Sequence, residues 1–277
     1  MSAVAVSVPR AGLVPRAGLV LVVMCAGMFL VLLDVTAVNV AVPSITTGLQ
    51  TTTAGVQWVV DGYTVALASL LLAGGALADR LGHRQVVDVG LVIFGAASVG
   101  CALAPSAGML VATRAAQGVG AAMLLPGSIA AIADAYPERA AQARALGIWA
   151  GVSSLALPAG PLLGGLLVST LGWRAVFWIN PPITAICLVG VMVWARTSRE
   201  RSRPSLDPAG ITLGTIGLAA VVYAVIAAGT DAFAAVLTGA LGVFALVALV
   251  VLERRVAAPL LPPNLCRRSS PLTGQRW

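Results

Sequence analysis

Two ionisable residues lie inside apolar segments, where charge is costly. Asp34 interrupts the segment MFLVLLDVTAVNVAVPSI, residues 28–45, and Arg114 lies in a second apolar segment with Gln117 one turn further on. A charged side chain at the centre of a bilayer costs about 2.5–3.5 kcal/mol even on the insertion scale. Residues kept at that cost usually serve ion or substrate pathways. A carboxylate whose hydration changes between two states can take up and release a proton; a purely structural ion pair is the alternative.

The depths of the two ionisable residues can be compared from the rise of a helix. Asp34 lies about eight residues, or roughly 12 Å, from the end of its predicted span, and Arg114 lies about six residues, or roughly 9 Å, from the start of a span that runs the opposite way. At similar depths the two charges can neutralise one another. Arg114 and Asp34 are therefore the candidate pair for proton coupling.

Four further polar residues are candidates for a substrate cavity. Asn39 and Gln117 could offer hydrogen bonds to a substrate. Asp61 and Tyr63 lie near one end of the second predicted span, where a position at the membrane rim is the favoured interpretation. A vestibule that attracts cations is the alternative for these two residues.

The composition places these residues in an integral membrane protein. Of the 277 residues, 59% are hydrophobic and 10% are charged, whereas a soluble domain carries about 25% charged residues. Apolar runs of about 20 residues, the length that crosses a bilayer, recur along the chain. They predict eight transmembrane spans, at residues 19–42, 57–78, 86–104, 108–133, 143–169, 175–195, 208–229 and 232–252.

The arginines predict how the spans are oriented. Fifteen arginines follow or precede spans on one side of the membrane, whereas only Arg174 lies on the other side and Arg114 lies inside a span. By the positive-inside rule both termini are cytoplasmic, and we expect a bacterial inner-membrane protein. The net charge of +7 is explained by this placement, so we predict no nucleic-acid partner.

Polar breaks predict the domain organisation. The longest break, ARTSRERSRPSLDPAG, separates six spans from two, and Asp207 followed by Pro208 is a favourable helix start. The predicted units are a cytoplasmic N-terminal segment, a six-helix bundle, a cytoplasmic linker, two extra spans and a cytoplasmic tail, at residues 1–18, 19–195, 196–207, 208–252 and 253–277.

No enzymatic, metal-binding or cofactor-binding pattern is present in the sequence. The four cysteines form no CxxC pair, and His83 is the only histidine. There is no Ser/His/Asp set, Walker loop or HExxH motif. We therefore predict neither an enzyme nor a resident metal or cofactor.

The segment GGALADRLGHRQ, residues 74–85, joins the second and third predicted spans. Gly82 allows a tight turn, and Asp79 can accept hydrogen bonds from Arg80, Arg84 or a helix N-terminus; a simple positive-inside loop is the alternative. The segment resembles the G-x-L-x-D-R-x-G-R-R motif of the major facilitator superfamily, with His83 in place of a basic residue. In that family the loop latches the cytoplasmic side of the two halves in the outward-open state. The matching residues are Gly75, Leu77, Asp79, Arg80, Gly82 and Arg84.

Four further segments resemble one branch of that family. RAAQGVGAAMLLPGS, residues 114–128, resembles its fourth-span motif, and LDVTAVNVAVPSI, residues 33–45, resembles the first-span motif of the fourteen-helix drug:proton antiporters. GWRAVFWINPPI, residues 172–183, is similar to their entry into span six. GIWAGVSSLALPAGPLLGG, residues 147–165, resembles the fifth-span motif of antiporters. Two extra spans after the sixth also fit this branch.

The segment that resembles the antiporter motif contains several glycines and two prolines. Gly147 and Gly151 fall on one helical face, and Pro158 and Pro161 each remove a backbone donor, which bends or softens the helix. A kinked structural helix is the alternative to an antiporter function. The residues of the motif are Gly147, Gly151, Pro158, Gly160, Pro161, Gly164 and Gly165.

The resemblance implies a fold and a function. The implied fold is an all-α integral membrane protein: a six-helix bundle of inverted three-helix repeats, in which spans one and four line the central cavity, plus a two-helix hairpin. The implied function is proton-coupled efflux of amphipathic drugs or antibiotics by alternating access, with small-molecule substrates, protons and the lipid bilayer as partners. The alternatives are a same-fold transporter of another metabolite, or an inert, truncated membrane protein.

The second six-helix half of this family is absent from the sequence. We therefore expect a partial sequence, a truncated product or a half-transporter that needs the missing C-terminal half or a second copy. Without a partner, the polar cavity face would meet lipid, where unpaired polar groups cost several kcal/mol each. That face comprises Asp34, Asn39, Arg114 and Gln117, and we expect poor stability in detergent and no efflux by the chain alone.

Overall fold

The structure, a computed structural model, describes residues 14–194, 208–228 and 231–253. Within these ranges every regular element is an α-helix. The helices are α1 (Val14–Gly48), α2 (Thr53–Leu81), α3 (His83–Ala102), α4 (Ala107–Ala135), α5 (Arg139–Ser154), α6 (Ala156–Leu171), α7 (Ala175–Trp178), α8 (Asn180–Trp194), α9 (Pro208–Ala227) and α10 (Ala232–Glu253).

Eight segments of the described chain are long and apolar enough to cross a membrane. The predicted number of spans is therefore confirmed, and the protein is a multi-pass membrane protein. The pairs α5–α6 and α7–α8 each form one interrupted span. The division into five domains stays a prediction, since most of the predicted N-terminal segment, the linker and nearly all of the tail lie outside the described residues.

Helix boundaries follow the local sequence. The side chains of Thr52 and Ser106 accept hydrogen bonds from the backbone N–H groups of Gly55 and Met109 and so cap α2 and α4. Gly82 alone joins α2 to α3 with a φ of 97°, a backbone conformation that favours glycine. The tight turn predicted at Gly82 is therefore confirmed.

Prolines explain both interrupted spans. Pro158 has no N–H group to donate to the carbonyl of Ser154. Helix α5 ends at Ser154, and Leu155 separates it from α6. The predicted softening by proline is thus realised as a break. The sixth span breaks at Ile179, shortly before Pro181 and Pro182, which remove two further backbone donors.

Two apolar clusters fill the six-span bundle and leave a layer between them. One cluster includes Met28, Phe94 and Leu124, and the other includes Val38 and Leu110. Between them, α1, α3, α4 and α8 place buried polar side chains that hydrogen-bond to one another. The core therefore contains a polar layer enclosed by apolar residues.

The two extra helices pack against the outside of the bundle. Helix α9 contacts α2, and α10 packs on α9. The rings of Trp58 on α2 and Tyr223 on α9 are stacked with their centroids 5.9 Å apart. Helix α10 exposes large apolar side chains such as Phe233 and Phe244, as expected of a helix that faces lipid.

Candidate functional site

The structure brings Asp34 and Arg114 into direct contact. Arg114 Nη1 donates a hydrogen bond to Asp34 Oδ2 across the α1–α4 contact. Each residue is only 1% exposed. The two charges, which the rise of a helix predicts at similar depths, therefore form an ion pair.

Two amide side chains complete the environment of the carboxylate. Gln117 Nε2 donates to Asp34 Oδ1 over 2.9 Å, and Asn180 Nδ2 donates to the same oxygen over 2.8 Å. Together with the guanidinium, the carboxylate accepts three N–H donors. This is the hydrogen-bonding pattern of an ionised carboxylate, which can only accept.

Ser98 closes the network into a ring. Its Oγ accepts hydrogen bonds from Gln117 Nε2 over 2.9 Å and from Asn180 Nδ2 over 3.2 Å, and its hydroxyl donates to the carbonyl of Phe94. The ring joins helices α1, α3, α4 and α8. We call these residues the polar cluster: Asp34, Ser98, Arg114, Gln117 and Asn180.

The charge of Arg114 is stabilised on several sides. Besides Asp34, the guanidinium donates to Gln117 Oε1 over 2.7 Å and to the carbonyl of Val59 over 3.2 Å. Its Cζ lies 4.2 Å from the centre of the Tyr63 ring, within the range of a cation–π interaction. Tyr63 is buried beneath the arginine, and its hydroxyl has no partner among the described residues.

Asn39 and Asp61 lie apart from the polar cluster. Asn39 is exposed on α1, since five residues along a helix rotate it by about 140° from Asp34. Asp61 is partly exposed on α2, and its Oδ2 has no hydrogen-bond partner in the described part of the chain. The assignment of Asn39, Asp61, Tyr63 and Gln117 to a substrate cavity stays a prediction.

One expectation about the open face of the bundle is wrong. Asp34, Arg114 and Gln117 do not point at lipid, because they turn inward toward α3 and α8 and satisfy one another there. Of the four residues expected on that face, only Asn39 is exposed. The cost of unpaired polar groups in lipid therefore does not arise for the charged pair.

Sequence reasoning missed Ser98 and Asn180. Asn180 lies within the segment that resembles the entry into span six, and an asparagine in an apolar run just before two prolines is a recognisable signal. Ser98 gives no such signal, because a serine in a membrane helix commonly bonds its own backbone. Only the tertiary contacts show that it accepts from two amides.

Comparison with known proteins decides the family. The family model of the Major Facilitator Superfamily matches residues 24–256, and this range includes the entire polar cluster. The chain belongs to the major facilitator superfamily. Its implied fold, a six-helix bundle with two extra helices, is thereby confirmed.

Several superfamily members resemble the chain along most of its length. It is 39% identical to the methylenomycin A resistance protein of Bacillus subtilis over 89% of the chain and 53% of that protein. It is 40% identical to the cephamycin export protein of Amycolatopsis lactamdurans over 88% of the chain and 52% of that protein. The chain thus spans about half the length of the curated relatives it matches.

A solved transporter structure shares the fold. The crystal structure of the POT family transporter PepTSo superposes with a TM-score of 0.61 over 93% of this chain and 55% of that chain, at 14% identity. At this identity the likeness concerns the fold alone.

The superfamily loop motif lies at the junction of α2 and α3. Asp79 and Arg80 are exposed, and Gly75 lies one turn earlier on α2. The expected hydrogen bonds from Arg80 or Arg84 to Asp79 are not formed: Arg84 lies beyond the Gly82 turn and pairs with Asp88, one turn along α3, at 3.5 Å. In addition, His83 Nε2 lies 3.5 Å from Asp134 Oδ2 at the end of α4.

The residues of the antiporter motif divide into two groups. Gly160 and Gly164 are buried against α1, where a Cβ on Gly160 would lie 1.8 Å from Thr36 Oγ1. The second group comprises Gly147, Gly151 and Gly165, and a Cβ added to any of these glycines would meet no atom within 4 Å. Pro158 and Pro161 are exposed and lie close to these glycines in the chain.

Proposed function

We propose that this chain forms the first half of a proton-coupled exporter of amphipathic drugs or antibiotics in the inner membrane of a bacterium. The exporter works by alternating access, both chain termini lie in the cytoplasm, and a second six-helix half completes it. The observation that carries this proposal is the Asp34–Arg114 pair, fully buried within a chain whose relatives are named for antibiotic resistance and export.

The energetics of the buried pair favour a functional explanation. Replacing a buried ion pair by apolar side chains of similar volume is often neutral or stabilising. The apolar clusters on both sides of the polar layer could continue through it with Leu or Val. A pair that stability does not require is best explained by a change in its charge during the working cycle.

Protonation of Asp34 supplies such a change. The neutral acid no longer balances the charge of Arg114, so the ion pair that joins α1 to α4 becomes a weaker hydrogen bond between the guanidinium and a neutral acid. Because the polar cluster joins four helices of the half, a change in its hydrogen bonds alters how those helices pack. An imposed proton gradient can in this way bias the two states of the exporter.

Comparing the half with a completed exporter tests this proposal. We expect a fusion of the chain to the second half of the methylenomycin A resistance protein to expel a fluorescent dye from proteoliposomes when a pH gradient is imposed. Residues 1–277 alone are expected to give no efflux, since they supply only one wall of a site that lies between two halves.

Two results would contradict this proposal. Dye movement by the fusion that does not depend on the pH gradient would refute proton coupling. Substrate-dependent proton exchange by residues 1–277 alone would refute the need for a second half and would favour a dimer of this chain.

The loop motif is expected to control conformational equilibrium rather than substrate binding. Asp79 is exposed at the end of α2, and the neighbouring Arg84 pairs with Asp88 rather than with Asp79, so the Asp79 carboxylate is available to bond a second half. Asp79→Asn in the completed exporter should lower turnover several-fold and shift the labelling of a cysteine introduced at Asn39 by an impermeant thiol reagent.

The matched control for this prediction is Glu138→Gln. Glu138 carries an exposed carboxylate at the same end of the bundle, and its side chain makes no capping hydrogen bond. It should leave both turnover and labelling unchanged. Unchanged labelling in Asp79→Asn together with a collapse of substrate affinity would show that the latch hypothesis is wrong.

A further inference from the structure

Asn180 occupies a special place in the chain. It is the first residue of α8, directly after the break at Ile179 and directly before Pro181 and Pro182. Its side chain is fully buried, and its Nδ2 donates to both Asp34 Oδ1 and Ser98 Oγ. The side chain therefore ties the interrupted sixth span to the carboxylate on α1.

The oxygen of the same amide is unused. Asn180 Oδ1 is buried and has no hydrogen-bond partner in the described part of the chain. Leaving a buried acceptor unsatisfied costs free energy, and such an atom in a native structure calls for an explanation. The other amide of the polar cluster differs, because Gln117 Oε1 accepts from Arg114 over 2.7 Å.

A proton on Asp34 would create the donor that Asn180 Oδ1 lacks. The proton would bind at Oδ1, because Oδ2 already faces the guanidinium. The new O–H requires an acceptor where two amide N–H groups now point. Gln117 cannot turn over without bringing its NH₂ group against Arg114, whereas the Asn180 amide can rotate by half a turn and present its oxygen.

We propose that Asn180 is the positioning residue of the proton site: its NH₂ group holds the carboxylate of Asp34, and its oxygen accepts the hydrogen bond of the protonated acid. This rests on the proposed proton coupling at Asp34. In the rotated amide, Oδ1 lies near both the acid and Ser98 Oγ, so the hydroxyl of Ser98 can donate to it in place of its present bond to the carbonyl of Phe94. The bonds from α8 to α1 and α3 then reverse direction on protonation.

The charged and titratable groups that face Asp34 come from three helices. Arg114 on α4 forms the ion pair, and Tyr63 on α2 and Cys101 on α3 interact with the carboxylate electrostatically. The amides of Gln117 and Asn180 carry no charge. Of these groups, only Asn180 both donates a hydrogen bond to Asp34 and carries an acceptor, Oδ1, that is not yet used.

Infrared difference spectroscopy on this chain in liposomes tests the proposal. The C=O stretch of a protonated Asp34 is assigned as the acidic-pH band that disappears in Asp34→Asn. We expect this band at the low wavenumber of a hydrogen-bonded acid in the unsubstituted chain and in Asn39→Leu, the matched control on the exposed face. In Asn180→Leu it should shift to the higher wavenumber of an acid without an acceptor.

Asn180→Ala removes the same amide with less steric change and should give the same shift, so the test does not depend on the folding of one variant. Unshifted bands in both Asn180 variants would overturn the role of Asn180 while leaving proton binding intact. If no acidic-pH band is lost in Asp34→Asn, Asp34 binds no proton, and the proposed function itself fails.

Discussion

Replacing Asp34 by asparagine is expected to abolish dye efflux driven by a pH gradient in the completed exporter. The amide cannot take up a proton, so the proton-binding step of the proposed coupling is lost. The substitution also leaves Arg114 buried without its counter-charge, and breaking a buried pair in this way costs about 3–5 kcal/mol. Lower stability is therefore expected as well, and the amount of folded protein in the membrane must be measured alongside transport.

A double substitution separates the two effects. Asp34→Asn combined with Arg114→Gln removes both charges and should recover most of the lost stability, yet proton-driven efflux should remain absent. Exchange of dye across a membrane without a pH gradient should survive in the double variant, since it requires no net proton movement. Efflux at the unsubstituted level in Asp34→Asn would refute the proton role of this residue.

The second large effect concerns the contact between α1 and α6. A Cβ on Gly160 would lie 1.8 Å from Thr36 Oγ1 and 2.5 Å from Thr36 Cβ, and the Thr36 hydroxyl donates to the carbonyl of Ala156 beside the break. Gly160→Val should force the two helices apart, at a cost of about 1–3 kcal/mol or more. We expect most of the protein to aggregate on mild heating in detergent, as measured by size-exclusion chromatography.

Gly165 provides the control within the same helix and the same motif. A Cβ there meets no atom within 4 Å, so Gly165→Val should leave the elution profile after heating unchanged. Equal losses in the two variants would show that glycine content, rather than the close approach at Gly160, determines stability.

The parts of the fold that were predictable from sequence are those that the bilayer itself dictates. Eight spans follow from the length of the apolar runs, and the break near Leu155 follows from Pro158. The similar depths of Asp34 and Arg114 were predictable because each residue lies on a single helix whose rise per residue is known. Such inferences need no knowledge of how the helices pack.

The contacts within the site required the tertiary structure. Ser98 and Asn180 are 82 positions apart in the chain, and no local pattern relates them. The inward direction of Asp34 depends on the rotation of α1 in the bundle, which the nearly uniform hydrophobicity around that helix does not reveal. The exposed position of Asn39 is predictable from sequence, because a helical projection already separates it from Asp34.

The enclosure of the polar cluster within one half has a consequence for divergence within the superfamily. The groups proposed to bind the proton are covered on all sides by α1, α2, α3, α4 and α8, whereas Asn39 and Gly147 lie on open surfaces. Substitutions on those surfaces can alter drug preference without touching the ion pair. Under the proposed function, drug preference can therefore diverge without any change in the proton site, in keeping with relatives named for antibiotics as different as methylenomycin A and cephamycin.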